Sequence, residues 1–283
     1  MKTRKPYVAN AFYAGTKTAL TNQITDCFTH KFGPGQIPKA EKTGPRKILG
    51  IISPHAGYMY SGPVAANGFA KLAADGCPET FIVLGPNHTG QGSGVSILID
   101  GAWETPIGTT KIQTELAARI QKSNALLDID EASHAYEHSI EVQLPFIQYL
   151  YGDTAKFIPI CMMMQDLQTS RDIAKSIVEQ TKGKDFVIVA SSDFTHYEPH
   201  EVVNRKDATA IDAILKLDDQ TLNELGESNR VTMCGYGPIS VLMAVANLIP
   251  RVKVQLLTHK TSGDITGDKS AVVGYSSLVF TRE

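Results

Sequence analysis

Four short runs of apolar residues carry the pattern of this chain: Lys47–Ile52, Thr80–Leu84, Lys156–Cys161 and Asp185–Ala190. Each is rich in β-branched or aromatic residues and shows no polar alternation. Such runs read as strands buried on both faces, as in a parallel sheet covered by helices. Segments with helical character lie between and around them: Thr18–Lys31, Pro63–Ala74, Gln113–Lys122, Leu167–Thr181, Val202–Lys216 and Asp218–Glu227. In Leu167–Thr181, Ile173, Ile177 and Val178 share one face. A last helix opens at Thr232–Pro238 and runs to about Leu248. His134–Phe146 also reads as helical, kinked or divided by Pro145. Gly94–Ile99 is a further strand, and Trp103–Gly108 an irregular connection. Lys253–Lys260 and Ala271–Thr281 are two final strands. Their connection is too short for a helical crossover, so the pair runs antiparallel. The expectation is one α/β domain over residues 1–283, with a central mixed, mostly parallel sheet and helices on both faces.

Composition narrows the function classes. The chain has 283 residues, 42% hydrophobic and 20% charged, with a formal net charge of −2. Neither a nucleic-acid footprint nor a polybasic membrane surface is indicated. Lys2, Arg4 and Lys5 are not followed by an apolar stretch, and no uncharged run reaches the ~18 residues of a membrane span. A cytoplasmic protein is expected. The four cysteines, Cys27, Cys77, Cys161 and Cys234, are far apart, which argues against a disulfide framework or a zinc ribbon.

Candidate chemistry collects at strand ends. Ser53-Pro54-His55-Ala56-Gly57-Tyr58 follows the first buried strand, and Gly85-Pro86-Asn87-His88 follows the second. Ser191-Ser192-Asp193-Phe194-Thr195-His196-Tyr197 follows the fourth. Parallel strands align their carboxyl ends at one sheet edge, where ligands bind in open α/β folds. His55, His88, Asp193 and His196 can therefore converge. Imidazoles with a carboxylate or thiolate are first-row metal ligands, and Cys234, opening the last helix, is a further candidate. Asp193 and His196, at i and i+3, can form a metal-free acid–base pair. Each has a plainer reading. Cys234 can be a small buried hydrophobe. His138 and Glu141 suit a supporting role, and His134, His200 and His259 read as surface residues.

These stretches, with Glu137-His138-Ser139-Ile140-Glu141-Val142-Gln143-Leu144-Pro145-Phe146 and Cys234-Gly235-Tyr236-Gly237-Pro238, resemble the Memo family, component B of the AmmeMemoRadiSam group. The Arg4–Tyr13 opening matches more loosely, since many members have Gly where this chain has Asn10. The resemblance implies the fold of class III extradiol dioxygenases, which hold Fe(II) with two His and a Glu. It places His55 and His88 at the two His positions and Cys234 at the third, with Zn or Cu as alternatives to Fe(II). Asp193 and His196 would serve catalysis, with His196 as general acid/base oriented by Asp193. Tyr58, Tyr197 and His138 would line the pocket. The implied activity is a dioxygenase-like oxidation of an unknown small molecule. The alternative is a binding module for a peptide or partner enzyme, and the resemblance implies radical SAM and AMMECR-type partners. Zinc-assisted hydrolysis is a third possibility.

Overall fold

The four apolar runs form the middle of one sheet. In the computed structural model, which describes residues 2–283, the strands are β1 (Thr3–Arg4), β2 (Ile48–Ser53), β3 (Thr80–Pro86), β4 (Val95–Ile97), β5 (Ala102–Thr105), β6 (Gly108–Ile112), β7 (Asp128–Ile129), β8 (Lys156–Met162), β9 (Phe186–Ser191), β10 (Val252–Thr261) and β11 (Gly274–Arg282). Their order is β1-β5-β6-β8-β3-β9-β2-β11-β10, with β4 and β7 attached beside the end of β8. The central four, β8, β3, β9 and β2, are parallel. Every residue of β2, β3 and β9 is buried. Burial on both faces is what removes polar alternation from their sequences.

Neighbouring residues of β2 show the two covering layers. A Cβ on Gly50 would collide with Leu242 of helix Tyr236–Leu248, while Ile51 packs against Gly68 of helix Tyr58–Asp75. Successive strand residues point to opposite faces, so these helices lie on opposite sides of the sheet. The architecture is the mixed α/β sheet, helix-covered on both faces, that the pattern predicts. β10 and β11 pair antiparallel, as expected. Among the described residues, no helix is long and apolar enough to cross a membrane.

Four expectations change. Trp103–Gly108 is not irregular: β5 and β6 form an antiparallel hairpin there, too short to show a period. Helix Tyr58–Asp75 begins before Pro63, which lies inside it. The carbonyl that Pro63 cannot pair belongs to Met59, which is exposed and open to water. The His134–Phe146 stretch is not one helix. It divides into a short helix Ala132–Ala135, a 3₁₀ turn Glu141–Gln143 and helix Leu144–Tyr151. The Glu137 side chain causes the break by accepting the His138 and Ser139 N–H groups itself.

The fourth correction concerns three histidines read as surface. His134 and His200 are buried. His134 Nε2 lies 3.1 Å from Ser96 Oγ, and His200 Nδ1 lies 2.9 Å from Thr261 Oγ1. His259 Nε2 pairs with the buried Asp207 at 2.8 Å. Burial, with the Arg4 charge assisting, holds His134 down from 6.5 to about 3. Between those values the unfolded state binds a proton that the folded state refuses, so stability falls as pH drops through the window. Denaturant titrations of metal-free protein should lose stability from pH 7 to 4, and His134→Gln should flatten that loss. An unchanged slope in the variant would exclude the ring as its source.

Candidate metal centre

Strand register sets the first three site residues. Ala190 of β9 lies opposite both Leu84 of β3 and Ile52 of β2. His88, Asp193 and His55 follow these positions by only a few residues, so all three leave the same sheet edge together. β9 stands between β3 and β2, and the Asp193 carboxylate accepts the His55 backbone N–H at 2.8 Å.

Two more residues arrive through close backbone approaches. A Cβ on Gly85 would collide with Ser139, so only glycine lets the Glu137–Ile140 segment settle on the end of β3. That contact brings His138 beside His88, with ring centroids 4.6 Å apart. A Cβ on Gly235 would likewise collide with the Ser191 carbonyl. The approach sets Cys234 Sγ 3.1 Å from His55 Nε2 and 3.3 Å from the Asp193 backbone nitrogen, which donates to it.

His55, His88 and His138 each bring a ligand atom within 4.8 Å of the others'. Cys234 lies outside that set, so the imidazole completing the cluster is His138 and the thiol stands beside His55. His138 was expected in the pocket and lines it, but it does not share a helix with Glu141.

The hydrogen-bond partners of the rings fix where their protons sit. Ser191 Oγ donates to the Ser139 carbonyl and accepts from Gln143 Nε2. Its hydrogen is used, so His55 Nδ1, 2.9 Å away, is the donor to it. His88 Nδ1 lies 2.9 Å from Glu137 Oε1, and His138 Nδ1 lies 3.3 Å from the same oxygen. His196 Nδ1 donates to the Thr232 carbonyl at 2.8 Å. His55, His88 and His196 are thus held through Nδ1, and the Cys234 thiol meets His55 Nε2. Burial and the neighbouring imidazoles push His55 well below its ordinary pKa, and burial holds His138 down to about 4. Burial alone would raise Glu137, but the His88 hydrogen bond and both imidazoles outweigh it and hold the carboxyl at about 2. His55 and His138 are thus held as neutral nitrogen donors, with the ionised Glu137 carboxylate behind the cluster. Burial, then Asp193, raises the Cys234 thiol, so it stays protonated until a stronger Lewis acid displaces the proton.

These groups face a cavity of about 720 Å³. Asp193 and His196 both line it, but the expected pairing between them is absent among the described residues. Their side chains are committed to the His55 N–H and the Thr232 carbonyl. Burial lifts Asp193 to about 6. Tyr197, 77% exposed, stands at the rim. Tyr58 is not a wall residue. It is buried against Phe146, its hydroxyl donating to the Val142 carbonyl at 2.6 Å. Tyr60, two positions on, and Tyr275 line the cavity instead. Sequence reasoning missed Glu137, although it adjoins His138 in a motif that reads as helical. Tyr275 lies in a buried strand with no local mark of function.

Comparison with known proteins gives the chain's family. The model of the Memo-like protein family matches residues 4–279. A MEMO1 family protein of Methanopyrus kandleri is 45% identical over 281 residues, 99% of each chain. Another, from Sulfurisphaera tokodaii, is 47% identical over 281 residues, covering 98% of this chain and 99% of its own. An uncharacterized Escherichia coli K12 protein of known crystal structure superposes with a TM-score of 0.56 at 12% identity, over 82% of this chain and 99% of that one, a likeness of fold alone. A family match over nearly the whole chain, with relatives of this identity and coverage, establishes that the chain belongs to the Memo-like family.

Proposed function

We propose that the chain is a metal-dependent, dioxygenase-like oxidoreductase acting on a small substrate. Iron(II) would be held by Nε2 of His55, His88 and His138, with the Cys234 thiolate as the anionic donor beside them. The supporting observation is the imidazole cluster: His55, His88 and His138 bring ligand nitrogens within 4.8 Å of one another, with His55 tied through Nδ1 to Ser191 and His88 to Glu137. Metal-ligating histidines are oriented in this way by outer carboxylates and hydroxyls. Imidazole with thiolate suits first-row metals, so zinc and copper compete with iron for such a set. Iron(II) there supplies redox chemistry with O₂ and Lewis acidity toward a chelating substrate. His196, anchored through Nδ1, offers Nε2 to take or return a substrate proton. Asp193 fixes the His55 backbone, and Phe12 and Tyr275 keep water from one wall of the cavity.

The test is metal analysis by mass spectrometry after anaerobic purification, beside His55→Ala and Cys234→Ser. Near-stoichiometric iron is expected in the parent, nearly all lost in His55→Ala and reduced in Cys234→Ser. Zinc with the same losses would move the assignment to hydrolysis. No bound metal would overturn the reading and leave a pocket for a peptide or partner enzyme.

A further inference from the structure

We infer that the outer half of the cavity selects an aromatic substrate bearing an ammonium group over one bearing a carboxylate. This rests on the cavity being a substrate site. Among the described residues no lysine or arginine lines it, and its acidic lining residues are Asp193 and Asp268. Its walls are aromatic: Phe12, Tyr60, Tyr197 and the buried Tyr275. Tyrosine faces attract cations, more strongly where water is partly excluded.

Part of the lining comes from residues 262–273, which join β10 to β11, and it offers acceptor oxygens beside the Ser262 hydroxyl. Thr266 Oγ1 spends its hydrogen on the Ser262 carbonyl at 3.1 Å and accepts the Asp268 N–H at 3.2 Å, which leaves it one lone pair. Asp268 Oδ1 accepts from the Ser270 N–H and hydroxyl at 2.9 and 2.7 Å, while Oδ2 accepts from no described residue. An ammonium group brings three donors and no acceptor, which this rim and the tyrosine faces match. A carboxylate would lose water at this rim against the Asp268 charge and meet no lysine or arginine there.

The experiment is calorimetric titration with tyramine and with 3-(4-hydroxyphenyl)propionate, which share a ring and a two-carbon arm but differ in charge. Metal-free and iron-loaded protein are both titrated at low salt. Tyramine should bind about tenfold more tightly, combining a cation–π contact with a partly exposed charge pair. Asp268→Asn keeps an oxygen for the Ser270 turn and should lose part of that preference. Asp268→Lys should abolish or reverse it, and Tyr60→Leu should weaken tyramine selectively. Equal binding, preference for the propionate, or binding of neither would overturn the inference. If the preference is absent while iron is retained, this inference fails alone. If it persists in protein that takes up no metal, only the metal assignment fails.

Discussion

Glu137→Gln should weaken divalent-metal binding by about ten- to a hundredfold, the usual cost of losing a carboxylate behind a ligating histidine. The side chain is 1% exposed, and both of its oxygens are acceptors. Oε1 receives His88 Nδ1 at 2.9 Å and the His138 and Ser139 N–H groups at 2.8 Å each. Oε2 receives the His88 N–H. A glutamine amide turned either way sets its NH₂ against N–H donors that need an acceptor. In one substitution the His88 ring loses the partner of its Nδ1 and His138 the acceptor of its backbone N–H. Leaving these buried donors unpaired also costs roughly 1–3 kcal/mol of stability. Competition against a chromophoric chelator measures the affinity, and circular dichroism checks the fold. A folded variant with parent affinity would sink the role given to Glu137.

Arg4→Ala should destabilise the protein by about 3–5 kcal/mol, the cost of stranding one partner of a buried ion pair. Glu141 has no exposed side-chain surface and meets Arg4 Nη1 at 2.6 Å. It also accepts the Tyr7 and Val8 N–H groups and the Tyr13 hydroxyl. Arg4 further donates to the His134 and Glu137 carbonyls, at 2.7 and 2.8 Å, and lies 4.2 Å over the Trp103 ring. It therefore locks the amino-terminal arm to the segment carrying Glu137 and His138. Lysine keeps the charge but not the planar fork, so Arg4→Lys should fall between parent and Arg4→Ala in urea unfolding. A loss below about 1 kcal/mol, the level of an exposed pair, would show that the ion pair is not part of the stabilising core.

The arm also shows how local and distant information divide. Asn10 stands in a left-handed backbone conformation, φ 67°, which asparagine tolerates better than most residues. What the arm grips could not be read locally, because Glu141 lies more than 120 residues away and stands at a helical i, i+3 spacing from His138 in the sequence. The two side chains in fact serve different places: Glu141 holds the arm, and His138 faces the cavity.

The sequence by itself determined the sheet's centre and the edge bearing the site. Double-sided burial leaves continuous apolar runs, and parallel strands must end on one side, so His55, His88 and Asp193 were legible as neighbours. Only the tertiary structure decided which side chains complete the site. That depended on two glycine-permitted approaches, of Ser139 onto Gly85 and of Gly235 onto Ser191, which bring His138 and Cys234 in from distant segments. It depended also on where each ring's Nδ1 finds its partner. Such contacts join residues tens to hundreds of positions apart, and no local periodicity records them.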